Sequence, residues 1–202
     1  MRTLSKGFAV LGLLFLAYWA FELVTARLFQ VQESRRFVSE RQPQPHPADT
    51  ASPAPSPITV ERPYPSRGSP VAMLAIPRLG LSTVVVEGAE EPELKLGPGH
   101  IRGTSLPGDG GNVGVAGHRD TFFRPLRFIR KDDTIKLITH QQEYQYRVAS
   151  TEVVRPDDIQ VLDPVGHEVL TLVTCYPFNY LGAAPKRFIV RADCVDCPRQ
   201  NR

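Results

Sequence analysis

A chain of 202 residues is long enough for one globular domain plus accessory segments. With 42% hydrophobic residues it can bury one real core, and 24 Lys plus Arg against 21 Asp plus Glu leave a formal charge of only +3. Part of that excess sits in Arg35-Arg36 and in Arg199 to Arg202, and no basic stripe carries interleaved aromatics, so the balance excludes nucleic acid as an expected partner.

Residues 1–7 carry Arg2 and Lys6 and precede an apolar run, Phe8 to Ala26, of 19 residues with Glu22 as its only charge. At about 1.5 Å rise per residue the run nearly matches a hydrocarbon core of roughly 30 Å. Basic residues ahead of it favour a cytoplasmic N-terminus, with the remaining chain on the outer face of the cell membrane. A cleaved signal peptide shares the basic start and apolar run. Here Val24-Thr25-Ala26 is followed by Arg27-Leu28-Phe29 rather than by a polar mature start, so a single-pass anchor over 8–26 is the expectation. Residues 27–70 read as a tether. Nine of the 19 prolines lie between Pro43 and Pro70. Such alternating prolines favour an extended, unpacked chain of about 3 Å per residue, a spacer able to hold a domain tens of ångströms from the bilayer. The first part of the tether, Val31 to Glu40, is compatible with a few more helical turns.

From residue 71 to 193 the pattern changes to short β-rich runs broken by Gly and Pro. Strands are expected at Val71–Ile76, Leu81–Val86, Asn112–Gly117, Thr134–Thr139, Tyr144–Val148, Glu168–Thr174 and Arg187–Ala192. Seven or eight such strands predict an all-β domain, a closed barrel or a sandwich. One helical turn is expected at Pro92–Leu96, and a short helix from Phe123 to Ile129 capped by Asp120. The glycines of Gly97-Pro98-Gly99 and Pro107 to Gly111 read as turns, because none joins a strand to a helix as a phosphate loop would. Residues 194–202 read as a tail.

The chemistry centres on Thr171-Leu172-Val173-Thr174-Cys175. It places a cysteine at the mouth of an apolar strand, just before Tyr176-Pro177. The chain has three cysteines, Cys175, Cys194 and Cys197. The simplest pairing joins Cys194 to Cys197 and leaves Cys175 free. A thiolate is a strong nucleophile, supplied by nearby positive charge. A histidine, His118 in Gly117-His118-Arg119-Asp120, can exchange protons with it and with a leaving amine. An arginine, Arg187 in Lys186-Arg187-Phe188-Ile189-Val190, stays charged and suits a developing oxyanion. If Phe188 and Val190 face the core, alternation turns Arg187 away from it, where a substrate groove would lie. Taken singly, each residue has a bland reading: a small core cysteine, a turn histidine, a solvated strand arginine. Their combination on three strands raises the functional one.

These motifs resemble the sortases, membrane-anchored cysteine transpeptidases. Residues 171–175 match the family's TLxTC signature in full, GNVGVAGHRD resembles the segment carrying its histidine, and KRFIV the strand carrying its arginine. Cys175 to Phe178, Gly182 and Ala184 to Arg187 look most like the class D subgroup. The resemblance covers about Met73 to Ala192 and implies a closed eight-stranded β-barrel with short helices. It implies that Cys175 attacks the carbonyl of a Thr in a C-terminal sorting signal and forms a thioester. An amine, such as one from a peptidoglycan cross-bridge, then resolves it. His118 would be the acid and base, Arg187 the oxyanion partner, and Thr174 and Tyr176 substrate-binding residues.

Two other readings compete. In one, the protein is a tethered β-barrel binding module in which Cys175 is buried and inert, and His118 and Arg187 lie far apart. In the other, Cys194 and Cys197 form a redox pair. A single CxxC lacks the second pair of ligands a zinc site needs. No metal or cofactor is expected, and His46, His100, His140 and His167 are taken as structural or solvated.

Overall fold

A computed structural model describes residues 2–39 and 64–197. Residues 40–63, which hold His46 and most of the prolines expected in the tether, and residues 198–202 of the expected tail lie outside the described residues. Eight strands close into a barrel in the order β1-β2-β3-β4-β7-β8-β6-β5. They are β1 Pro70–Ile76, β2 Leu81–Glu87, β3 Gly99–His100, β4 Asn112–Gly117, β5 Thr134–Ile138, β6 Glu143–Val154, β7 Val169–Tyr176 and β8 Lys186–Asp196. Two pairings are parallel, β2 with β3 and β4 with β7, and the rest are antiparallel. The barrel expectation is therefore met, and closure removes the exposed sheet edges that a sandwich would keep.

The period-two pattern explains which side chains fill it. Val113 and Val115 of β4, Leu170 and Leu172 of β7, and Val190 and Ala192 of β8 share the interior with Leu74, Ile135 and Tyr146. Two polar side chains that reach inside find partners there. The Tyr146 hydroxyl donates to Glu168 Oε1 at 2.6 Å, and burial beside that carboxylate raises the phenol well above its ordinary value. His100 is sealed, with Nδ1 2.8 Å from Glu87 Oε2 and Nε2 3.0 Å from the Ser105 carbonyl. This histidine was expected in a turn. It lies on a two-residue strand that pairs with both β2 and β4, too short for a periodic signal.

The N-terminal helix α1, Arg2–Ser39, is continuous and holds a span long and apolar enough to cross a membrane. Leu13, Phe15 and Leu16 are exposed along it. The helix runs past Ala26, and its second half docks on the barrel. Because β3 covers β2 only at Val86 and Glu87, the edge of β2 near Val84 lacks a strand on that side. The Gln30 side chain fills the gap. Its Nε2 donates to the Val84 carbonyl at 3.1 Å and the Leu96 carbonyl at 2.8 Å. Its Oε1 accepts from the Val84 N–H at 2.7 Å and the Thr83 hydroxyl at 3.0 Å. About two turns onward, Phe37 is buried and stacks on His140 with centroids 4.2 Å apart. The barrel thus meets the helix from Gln30, about 6 Å beyond Ala26 at 1.5 Å per residue.

Candidate active site

Strand β7 lies between β4 and β8, so the cysteine, histidine and arginine arrive on three adjacent segments. Cys175 is the direct register partner of Arg187. Gly117 is paired with Thr174 across the parallel β4–β7 ladder, which sets His118, the next residue, alongside Cys175. Neighbouring strands run about 4.8 Å apart. Interior residues of β7 and β8 carry even numbers, so Cys175 and Arg187 share the outward face. This meets the condition set for Arg187, since Val190 lies in the core and Phe188 packs against it.

That outward face is closed at one end and open at the other. A 3-10 turn, Ile159–Leu162, covers the beginning of β4 and β7: Asn112 Nδ2 donates to the Val161 and Asp163 carbonyls at 3.0 and 3.2 Å. The Thr171 hydroxyl completes the seal by donating to Asn112 Oδ1 at 2.7 Å. Toward the other end Ala116, Val173, Cys175 and His118 are all half-buried, forming a strip that solvent reaches. Cys175 is the free thiol among the described residues. Neither its sulfur nor the His118 ring has a hydrogen-bond partner among the described residues, so both are available to a substrate.

The backbone around His118 is fixed from two sides. Thr174 is buried, and its hydroxyl donates to the Gly117 carbonyl at 2.7 Å. The Phe123 N–H donates to the His118 carbonyl at 3.0 Å. Gly117 is a glycine because a Cβ there would sit 2.7 Å from the Phe123 ring. Thr174 and Tyr176 therefore turn toward the barrel side of β7. Tyr176 stacks on Phe188 at 6.3 Å and meets Phe178 edge-on at 6.1 Å, an aromatic floor under the site. The Arg187 guanidinium rests on its own turn, with Nη1 donating to the Lys186 and Ala184 carbonyls at 3.1 and 3.3 Å.

Other sequence expectations fall elsewhere. Asp120 is exposed and caps nothing: the short helix is a 3-10 turn, Arg124–Phe128, whose Pro125 removes one donor in any case. Cys194 and Cys197 form a disulfide with Cα atoms 5.9 Å apart. Cys194 lies on β8, seven residues from Arg187, which at about 3.3 Å per residue is roughly 23 Å along the strand from the site. His167 is exposed, 3.8 Å from Asp193. The sequence reading missed Arg119, which donates Nη2 to the Tyr180 and Gly182 carbonyls at 2.7 and 3.0 Å. Its only sequence signal was adjacency to His118.

The fold and site together define a closed barrel of the sortase kind. A family model, the sortase domain, matches residues 74–195. The chain belongs to the sortase family. It is 36% identical over 128 residues to Sortase D of Bacillus subtilis (strain 168), a match covering 62% of this chain and 64% of that protein. It is 28% identical over 129 residues to Sortase A of Bacillus anthracis, covering 62% and 60%. The matches thus span just under two thirds of the length of these relatives. Among solved structures, the Clostridium perfringens Sortase D5 transpeptidase superposes with a TM-score of 0.61 at 30% identity, covering 66% of this chain and 83% of that one. Clostridium perfringens sortase C, solved with the C-terminal cell wall sorting motif, gives 0.59 at 27% identity, covering 65% and 73%.

Proposed function

We propose that this protein is a membrane-anchored transpeptidase acting on proteins with a C-terminal sorting signal. The observation that carries the reading is the open strip in which Cys175 faces Arg187 across one ladder and adjoins His118 across the other. Cys175, as thiolate, attacks the carbonyl carbon of a threonine in the signal. Arg187 swings from its turn to the oxygen that becomes anionic in the tetrahedral intermediate. When the peptide C–N bond breaks, protonated His118 gives its proton to the leaving amine, and a thioester to Cys175 remains. An incoming amine, such as that of a peptidoglycan cross-bridge, attacks the thioester. It passes its proton to His118, and the Cys175 thiolate leaves. Thr174 and Tyr176 shape the substrate strip from beneath. α1 anchors the enzyme in the cell membrane, with its N-terminus cytoplasmic and the barrel outside.

Mass spectrometry of the full chain incubated with a library of threonine-containing peptides tests this. A peptide thioester at Cys175 is expected in the wild type and none in Cys175→Ala, whose circular dichroism stays native. Peptide cleavage by the folded Ala variant would sink the proposal.

A further inference from the structure

Nine residues, Pro177 to Pro185, connect the strand of Cys175 to the strand of Arg187. The connection is exposed at its tip, where Leu181 is 99% accessible. Its backbone regularity is confined to a turn at Phe178-Asn179. Its carbonyls accept from two arginines. Arg187 donates to the Ala184 carbonyl from within the same turn. Arg119 reaches across from the segment after β4, and one nitrogen, Nη2, holds both the Tyr180 and Gly182 carbonyls at 2.7 and 3.0 Å. Gly182, at φ 91°, adopts the left-handed conformation here, and the Arg119 guanidinium carbon lies 5.8 Å from the Tyr180 ring centroid.

The other terminal nitrogen, Nη1, is enclosed and has no partner among the described residues. A buried donor left unpaired is costly, and a contact selected for stability alone would avoid it. Arg119 adjoins His118, whose carbonyl is itself pinned by the Phe123 N–H. The clamp therefore joins the histidine turn to the connection whose two ends carry the thiol and the guanidinium.

We propose that Arg119 is a positioning residue for acyl transfer: it ties the β7–β8 connection to the His118 turn and so sets the separation of imidazole, thiol and guanidinium. The proposal rests on the transpeptidase reading above. Two variants of the full chain in nanodiscs test it, Arg119→Ala and Arg119→Lys, with the threonine peptide that the wild type acylates fastest as probe. A displacement of catalytic groups by about an ångström costs up to roughly a hundredfold. Arg119→Ala is expected to lower kcat for thioester formation by about tenfold to a hundredfold with KM unchanged. Iodoacetamide still alkylates Cys175 to completion, because the thiol remains free and accessible. Limited proteolysis within Tyr180 to Ala183 accelerates. Arg119→Lys, whose ammonium has donors for both carbonyls, recovers most of the rate and the protection. An unchanged kcat in Arg119→Ala overturns the proposal. So does a loss that merely tracks a lower melting temperature and that Arg119→Lys does not recover. A wild type that forms no thioester overturns the transpeptidase reading and this role with it. Loop proteolysis in the variants reports the clamp separately from activity.

Discussion

Gln30 makes the docking of α1 quantitative. Replacing it with alanine deletes four hydrogen bonds, to the Val84 N–H, the Val84 and Leu96 carbonyls and the Thr83 hydroxyl. Each is worth about 0.5–1.5 kcal/mol net, so an upper figure is roughly 2–6 kcal/mol. Water entering the vacated edge offsets part of this, which leaves an expected loss of about 2 kcal/mol. For a domain of this size that corresponds to a fall of about 4–8 °C in Tm. Gln30→Glu is expected to be worse than Gln30→Ala. A carboxylate keeps the acceptor for the Val84 N–H but sets negative charge against two carbonyl oxygens, with no donor left. Gly97→Ala attacks the same contact from the other side, since a Cβ there would lie 2.5 Å from Gln30 Nε2 and 2.6 Å from the Val84 carbonyl. The assay is calorimetry of the full chain in nanodiscs, with hydrogen exchange at the Val84 amide as the local readout. If all three variants keep the wild-type Tm and Val84 protection, the helix does not dock through Gln30.

Two further outcomes follow from the site and its supports. Gly117→Ala forces the buried Phe123 ring to move, an overpacking cost of about 1–3 kcal/mol. It should lower both Tm and the rate of thioester formation, and a variant with wild-type values in both would show that the histidine turn tolerates the methyl. Asp133 is the acid-sensitive group: hydrogen bonding from Arg78, aided by the Arg130 N–H, holds its carboxyl below the ordinary carboxylate value. Its depressed folded pKa means that this stability is present above the unfolded value of about 4 and is lost as pH falls toward the folded one. Asp133→Asn should therefore flatten the decline of Tm between neutral and acid pH, and an unchanged acid slope would refute the assignment.

Much of this was readable from residue order. The strands that carry the site have alternating or continuous apolar patterns strong enough to predict, because period-two burial leaves a direct imprint on sequence. Cys175 was marked by its place at a strand mouth, and His118 and Arg187 by their motifs. Short pieces were not readable. The two-residue β3 carries no periodicity, and β6 and β8 extend beyond their expected ends because long-range pairing sustains exposed residues such as Thr151 and Asp193 in strand. Thr174 was read as lining the substrate. Tertiary register instead turned it inward to hold the Gly117 carbonyl, since adjacent residues of a strand face opposite ways.

The sequence by itself determined the family and the residue types on which the expected chemistry and membrane anchor rest. A lone thiol in TLVTC, a histidine and an arginine at motif positions, and an apolar run behind two basic residues each follow from local residue type and spacing. Tertiary structure alone decided how those parts stand to one another. It set the thiol opposite the guanidinium through β7–β8 register and brought Arg119, the residue after the motif histidine, onto the Tyr180 and Gly182 carbonyls. It also seated Gln30 in a gap left by the shortness of β3. Such relations depend on which backbone groups remain unpaired after the barrel closes, and no window of sequence contains both the gap and the side chain that fills it.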